Sequence, residues 1–197
     1  MSTLTYYNTN AQQFYTSTVS VDLTSNQDHF LSRLSQGASI LDFGCGSGRD
    51  AKYFLSKGFC VDAIDGSAEL CKLASAYAGI QVKHMLFQEL SVADQYDGIW
   101  ACSSILHLPA EELEKVMEKM SVALTSKGII YTSFKYGTFS GERNGRFFTD
   151  MTEEAFADFI GRIDSLEIEE QWVTFDARPG RGEEKWLNLI LRKRQMQ

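Results

Sequence analysis

The chain has 197 residues, of which 44% are apolar, and its formal net charge at pH 7 is -7. This length fits one α/β domain with a sizeable core, and no apolar run approaches the roughly 18 residues of a membrane helix. The acidic balance argues against sequence-independent binding to nucleic acid, which requires a basic surface, although basic residues gather late in the chain in ERNGR, RPGR and LRKR.

The amino-terminal sequence MSTLTYYNTNAQQFY is polar and lacks the basic region and apolar core of a signal peptide. Four cysteines form no CxxC pair, which is typical of reduced thiols in a cytoplasmic protein. The three histidines have no ligand spacing among themselves, so no metal site is predicted.

Helical and strand patterns alternate along the chain. The first two predicted helices cover about 9–18 and 22–35. Further helices are predicted at Ser47–Lys57, from Ser67 to about Tyr77, after Pro109, and from Asp150 or Thr152 to 163. Strands are predicted at Ser39–Phe43, Cys60–Ile64, Ile80–Phe87, 96–103, 128–136, 167–176 and 184–193.

This alternation predicts an α/β fold with a mostly parallel, doubly wound sheet of seven strands and helices on both faces. The last two strands are joined by ARPGRGE, which favours an antiparallel hairpin at the carboxyl end. Sheets of this kind bind ligands at the carboxyl ends of their strands.

A glycine-rich loop follows the first strand in ILDFGCGSGRD, residues 40–50. Glycines at 44, 46 and 48 permit a tight turn and a close approach of the backbone to a ligand. The dinucleotide pattern GxGxxG fails because its third glycine would be Arg49, and Asp42 ahead of the loop would repel a pyrophosphate. Asp65 ends the second strand 17 residues after Gly48, where an acid can bind the ribose hydroxyls of an adenosine.

These residues, together with YDGIWACSSILHLP at the fourth strand, resemble the class I S-adenosylmethionine-dependent methyltransferases. The resemblance implies a Rossmann-like fold, a single domain over 1–197, a helical lid at 1–35 and a cofactor-binding core at 36–197. The segments IWACSSILHLP, SFKYG, GRFFTD, RPGR and KWLN are similar to a small bacterial subgroup with a tellurite-resistance-like label. That label does not fix a substrate.

The resemblance also implies which residues contact S-adenosylmethionine. The expected set is Asp42, Gly44, Cys45, Gly46, Gly48, Arg49, Asp65, Gly66, Phe87, Gln88, Ala101 and Tyr7. Arg49 has two interpretations, a contact to the cofactor carboxylate or an ion pair on its own helix. Gln88 departs from the Asp that is common in the family near the adenine. Tyr6 shares the expectation for Tyr7, and packing is the alternative for both.

Residues expected at the methyl acceptor lie later in the chain. His107 follows the fourth strand and is either a general base, if the acceptor carries a proton, or a structural histidine. The other candidates are Tyr136, Arg143, Arg146, Arg178 and Arg181. As a set they indicate an aromatic-lined pocket for an anion, whereas singly each arginine is interpreted more simply as solvated charge.

The function predicted from the sequence is S-adenosylmethionine-dependent methyl transfer to a small molecule, by a monomer or homodimer without nucleic-acid or membrane partners. The set of arginines favours an anion as this molecule. An NAD(P)-dependent oxidoreductase is the first alternative. A non-catalytic module that binds the cofactor is the second. A protein or RNA methyltransferase is less favoured, because the short chain shows no appended recognition domain and its charge balance is acidic. Amino methylation of nucleic-acid bases is disfavoured, because ACSS at the fourth strand end differs from the Asn/Asp-Pro-Pro-aromatic motif of enzymes with that activity.

Overall fold

A computed structural model describes residues 2–195. Its central sheet has seven strands: β1 (Ser39–Phe43), β2 (Cys60–Asp65), β3 (Lys83–His84), β4 (Tyr96–Ala101), β5 (Leu124–Lys135), β8 (Leu166–Phe175) and β9 (Lys185–Lys193). Their order in the sheet is β3-β2-β1-β4-β5-β9-β8. Strands β1 to β5 are parallel, and β9 runs antiparallel to both β5 and β8. The predicted fold class is therefore confirmed.

Seven α-helices are present in the described residues. They are α1 (Thr3–Thr9), α2 (Ala11–Thr18), α3 (Thr24–Leu31), α4 (Arg49–Ser56), α5 (Ala68–Ala78), α6 (Ala110–Ala123) and α7 (Glu153–Ile160). None of them combines the length and apolarity needed to cross a membrane. Ser67 and Thr152 are the amino-terminal caps of α5 and α7, where each hydroxyl accepts a hydrogen bond from a backbone N–H three residues on.

The helices cover both faces of the sheet. Helices α6 and α7 pack on one face, and α3, α4 and α5 pack on the other. The stripe predicted for α6 is buried: Leu113, Val116, Met117 and Met120 are fully inaccessible. Burying each such side chain contributes roughly 1.5–3 kcal/mol, so the stripe fixes α6 against the sheet.

Three local predictions are wrong. The predicted strand Ile80–Phe87 is reduced to Lys83–His84, and a 3₁₀ turn follows at Phe87–Glu89. The amino-terminal prediction missed α1, a short helix that buries none of its residues completely. Residues 137–149, for which no strand was predicted, contain a second sheet formed by β6 (Ser140–Arg143) and β7 (Arg146–Thr149).

The missed hairpin has a physical signal in the sequence. Asn144 and Gly145 separate its two strands and both have positive φ, 54° and 76°. An Asn-Gly pair is the favoured two-residue turn between antiparallel strands, because its backbone twist matches theirs. The hairpin lies above the carboxyl end of β5, where it borders the cavity described next.

A two-sided cavity at the carboxyl ends of the strands

The glycine loop is tied to the end of β2. The backbone N–H groups of Gly44 and Cys45 donate to the carbonyl of Ile64 at 3.0 and 2.9 Å. Gly44 has φ +84°, and a Cβ there would lie 2.6 Å from the Cβ of Ser104. Both its backbone angle and its surroundings therefore require glycine.

Asp65 connects the glycine loop to the start of α5. Its Oδ2 accepts a hydrogen bond from the Gly46 N–H at 2.9 Å, and its Oδ1 accepts one from the Ser67 N–H at 2.8 Å. Burial raises the pKa of this carboxyl, and the two backbone hydrogen bonds oppose that rise. An ionised carboxylate accepts about four hydrogen bonds, so each oxygen retains capacity for a ligand hydroxyl.

Asp42 and Asp50, the two buried acids that flank the glycine loop, already bind groups of the protein. Asp42 accepts a hydrogen bond from the Ala51 N–H at 3.0 Å, and its pKa is raised by burial and by the neighbouring charge of Asp50. Burial opposes ionisation of Asp50, yet its pKa is lowered because Arg49 pairs with it at 2.8 Å and Trp100 and Gln27 donate to it.

The loop borders a cavity of about 600 Å³. One part of its wall, here called the loop side, consists of residues 44–47, Asp65, Gly66 and 86–88. The opposite part, here called the basic side, consists of Lys135, Arg146, Phe148, 176–178, Arg181 and Trp186. Residues 102–104 at the end of β4, together with His107, lie between the two sides, as the strand order requires.

Helix α1 covers the cavity from above. Leu4 and Tyr7 line it, and Leu4 packs so closely on Gly66 that a Cβ there would lie 2.7 Å from Cδ2 of the leucine. The Ser67 hydroxyl donates to Asn8 at 2.8 Å on the loop side. On the basic side, the Phe147 N–H donates to Thr3 at 3.0 Å, so α1 bridges the two sides.

His107 and Tyr7 form a hydrogen-bonded pair in the cavity wall. The His107 Nδ1 lies 2.6 Å from the Phe147 carbonyl oxygen, which only accepts, so Nδ1 carries the proton. The Nε2 therefore accepts from the Tyr7 hydroxyl at 2.7 Å. Burial lowers the pKa of His107 to about 4, which keeps the ring neutral at pH 7.

Most cations of the basic side have acidic partners. Lys135 pairs with Glu184, and Arg178 pairs with Asp176. Burial opposes ionisation of Asp176, but Arg178 and the Trp186 indole N–H lower its pKa to about 2. Arg181 lies 3.7 Å from Glu184.

The structure brings most of the predicted site residues to one cavity. Those that line it are Tyr7, Gly44, Cys45, Gly46, Arg49, Asp65, Gly66, Phe87, Gln88, His107, Arg146, Arg178 and Arg181. Of the two interpretations of Arg49, the ion pair is present, with Asp50 on its own helix. The assignment of any of these residues to a ligand stays a prediction.

Five predicted residues do not line the cavity: Asp42, Gly48, Ala101, Tyr136 and Arg143. Gly48 instead allows α4 to pack on α5, because a Cβ there would lie 3.0 Å from the Ala74 carbonyl oxygen. Tyr136 donates to Glu153 at the surface. Arg143 pairs with Asp150 beside the cavity.

A polar group in the cavity floor was not predicted from the sequence. The Tyr131 hydroxyl donates to the Asn188 Oδ1 at 2.7 Å, and the Asn26 amide lies 3.2 Å from both. All three residues line the cavity and come from distant parts of the chain. Their only signal in the sequence is Asn188, a polar residue within the apolar run WLNLIL of β9, which predicts a buried partner but does not identify it.

Within the described residues, no group of three or more His, Cys, Asp or Glu has the arrangement of a metal site. The wall of the cavity thus offers backbone N–H groups, carboxylates and guanidinium groups as its binding chemistry. This combination suits an organic ligand with hydroxyl and charged groups.

Comparison with known proteins agrees with this geometry. Residues 40–128, just under half of the chain, match a family model described as a methyltransferase domain, and they include the glycine loop and Asp65. A protein of Staphylococcus carnosus (strain TM300), described as an uncharacterized methyltransferase, is 24% identical over 154 residues, which is 74% of each chain.

Solved structures share the fold. The 1,6-didemethyltoxoflavin-N1-methyltransferase of Burkholderia thailandensis, solved with bound 1,6-didemethyltoxoflavin and S-adenosylhomocysteine, superposes with a TM-score of 0.77 at 20% identity, covering 97% of this chain and 85% of that one. The magnesium protoporphyrin IX methyltransferase of Synechocystis PCC 6803, solved with S-adenosylmethionine, gives 0.74 at 15% identity, covering 97% and 95%. These findings support the class I methyltransferase architecture and leave the predicted subgroup unconfirmed.

Proposed function

We propose that this protein transfers a methyl group from S-adenosylmethionine to a small-molecule acceptor. The observation that carries the proposal is the position of Asp65, which is bonded to both the glycine loop and α5 and faces the cavity at the carboxyl end of β2. The match of residues 40–128 to a methyltransferase domain supports the same assignment.

The loop side fits the adenosine and amino-acid parts of this cofactor. Asp65 has free acceptor capacity for ribose hydroxyls, and the backbone of residues 44–47 lines the cavity beside it. We assign the adenine to Phe87 and Gln88, which line the cavity, the first by its ring and the second by its amide. The bound cofactor supplies a methyl group already activated on a sulfonium, so the chain must position the acceptor and exclude water.

We assign contact with the acceptor to Tyr7 and a positioning role to His107. The Nε2 of His107 is occupied by the Tyr7 hydroxyl, so it does not face the cavity as a free base. With a pKa of about 4, His107 would take up a proton at pH 7 at a cost of about 4 kcal/mol. The pair instead orients the Tyr7 oxygen, whose remaining lone pair accepts a hydrogen bond from an N–H or O–H of the acceptor.

Calorimetric titration with S-adenosylhomocysteine and, separately, with NADH tests the cofactor assignment. We expect one-site micromolar binding of S-adenosylhomocysteine and none of NADH. Binding of NADH alone would establish the oxidoreductase alternative, and binding of neither by folded protein would overturn the proposal.

A second experiment tests methyl transfer. The protein is incubated with S-adenosylmethionine labelled on its methyl group and a panel of small acceptors that begins with carboxylates and phosphates. We expect label to move to at least one of them, and less of it in Tyr7→Phe. Tight S-adenosylhomocysteine binding without any labelled product across a broad panel would instead support the non-catalytic module.

A further inference from the structure

Arg146 differs from the other cations of the basic side. Lys135, Arg178 and Arg181 each have a carboxylate within 4 Å, whereas no described residue supplies one to Arg146. Its Nε is buried and makes no hydrogen bond to the described residues. A buried donor without a partner is costly, and the cost is greater when the group is charged.

The guanidinium of Arg146 is nevertheless held in place. Its central carbon lies 4.5 Å from the ring centre of Tyr6 and 5.1 Å from that of Phe148. The one hydrogen bond that it makes to the described residues runs from Nη1 to the Tyr7 hydroxyl at 3.4 Å. Aromatic contacts orient a guanidinium without neutralising it, so most of its five N–H donors stay available.

The neighbouring Arg143 has the acidic partner that Arg146 lacks among the described residues. Arg143 is paired with Arg146 across the β6–β7 hairpin, and its central carbon lies 4.4 Å from the ring centre of Phe148. Arg143, however, binds the Asp150 carboxylate through two nitrogens at 3.0 and 3.2 Å. Two arginines on one hairpin pack on the same ring, and only the one outside the cavity has an acidic partner.

We propose that Arg146 binds a carboxylate or phosphate group of the methyl acceptor, and that the acceptor is therefore a small organic anion. The proposal rests on the proposed function and deepens it. The anion lies beside the Tyr7 hydroxyl, to which Arg146 donates. A guanidinium binds such an oxyanion through two parallel N–H groups, which fixes orientation as well as charge.

The test titrates protein saturated with S-adenosylhomocysteine with phenyl phosphate, benzoate and neutral benzamide. Four proteins are compared: wild type, Arg146→Gln, Arg146→Lys and the matched control Arg143→Gln. We expect saturable binding of at least one anion by the wild type and about tenfold weaker binding by Arg146→Gln. Arg146→Lys should show an intermediate loss of affinity, because lysine keeps the positive charge but lacks the two parallel N–H donors of a guanidinium. Arg143→Gln should match the wild type within about twofold, because Arg143 lies outside the cavity.

Equal binding of the anions by wild type and Arg146→Gln would overturn the proposal, as would binding of neither anion by the wild type. Stronger binding of benzamide than of the anions would do the same. Circular dichroism of each variant checks its fold, and Arg146→Lys keeps the test decisive if Arg146→Gln does not fold.

The cofactor also carries a carboxylate, in its amino-acid part. A second experiment therefore distinguishes binding of Arg146 to the cofactor from binding to the acceptor. Affinities for S-adenosylhomocysteine and for 5′-methylthioadenosine, which lacks the amino-acid part, are measured in wild type and Arg146→Gln. We expect both to be unchanged by the substitution. A loss for S-adenosylhomocysteine alone would assign Arg146 to the cofactor and overturn the proposal. If the wild type binds no S-adenosylhomocysteine, the proposed function fails, and the anion titration on protein without it still reports on Arg146.

Discussion

The two sides of the cavity are built in different ways. On the loop side, Asp65 accepts hydrogen bonds from two backbone N–H groups, and the glycine loop is held by the backbone of β2. On the basic side, side chains pair with side chains, as Arg178 does with Asp176 and Lys135 with Glu184. The loop side is thus fixed by the path of the main chain, and the basic side by the choice of residues.

This difference has a consequence for substitution. A main-chain site tolerates little change at the residues that shape it, because a new side chain collides with its neighbours. A side-chain site can be altered without moving the backbone. We therefore expect the affinity for the cofactor to depend on the loop side, and the choice of acceptor to depend on the basic side.

The largest effect is expected for Gly44→Ala. The new Cβ would lie 2.6 Å from that of Ser104, at a φ of +84° that alanine rarely adopts. We expect the free energy of unfolding to fall by about 2–4 kcal/mol and the affinity for S-adenosylhomocysteine to fall more than about 100-fold. Urea unfolding and calorimetry measure the two quantities.

Gly79→Ala is the matched control for backbone strain alone, because Gly79 has φ +76° and open space around it. We expect it to lose about 1–2 kcal/mol of unfolding free energy and no affinity. Equal losses of stability in the two variants would show that the contact with Ser104 contributes nothing.

The second largest effect is expected for Asp65→Asn on the loop side, with Asp176→Asn on the basic side as its control. Asp65→Asn removes the charge that accepts from Gly46 and Ser67, and we expect the dissociation constant of S-adenosylhomocysteine to rise about 30- to 150-fold, or about 2–3 kcal/mol. Asp176→Asn on the basic side should change it less than about threefold. Similar losses for the two variants would remove the proposed division between the sides.

The third effect concerns pH. The pKa of His107 is about 4 in the folded protein, against about 6.5 when unfolded. The unfolded chain therefore binds more protons between these values, and stability falls as the pH drops through this window. At pH 5 the loss from this residue is about 2 kcal/mol relative to pH 8. Unfolding of wild type and His107→Gln at both pH values measures it, and a wild-type loss no larger than that of the variant would contradict the assignment.

The smallest effect is expected for Arg181→Gln. Its side chain is 45% exposed, and its distance to Glu184 is 3.7 Å. Such pairs contribute little, so we expect the free energy of unfolding to change by less than about 0.5 kcal/mol. The affinity for S-adenosylhomocysteine should stay within about twofold of wild type. A loss above tenfold would place the cofactor on the basic side.

The same division explains what the sequence could predict. The glycine loop begins 21 residues before Asp65 and ends 17 residues before it. Both lie at the ends of strands that periodicity identifies, so local pattern and strand direction place them together. The seven-stranded sheet was predictable for the same reason. Strand β3 was overestimated, because its apolar run continues into a 3₁₀ turn that periodicity does not distinguish from a strand.

The basic side was less predictable, since it depends on contacts between distant residues. The sequence indicates that Arg143 and Arg146 are basic residues near aromatic ones, but it does not show that Asp150 neutralises only the first. The hydrogen bond between Tyr7 and His107 joins residues 100 positions apart. Helix α1 was missed because its Thr-rich sequence has low helical propensity and depends on tertiary contacts.

The position of α1 has a kinetic consequence. This helix bridges the two sides of the cavity, yet it buries none of its seven residues completely and is attached through a few polar and aromatic contacts. Elements with little buried apolar surface open at low free-energy cost, without unfolding of the core. We therefore expect the rate at which α1 detaches to limit the rate at which a bound ligand leaves the cavity. Substitutions at Thr3 or Asn8 should then change the residence time of the ligand more than its equilibrium affinity.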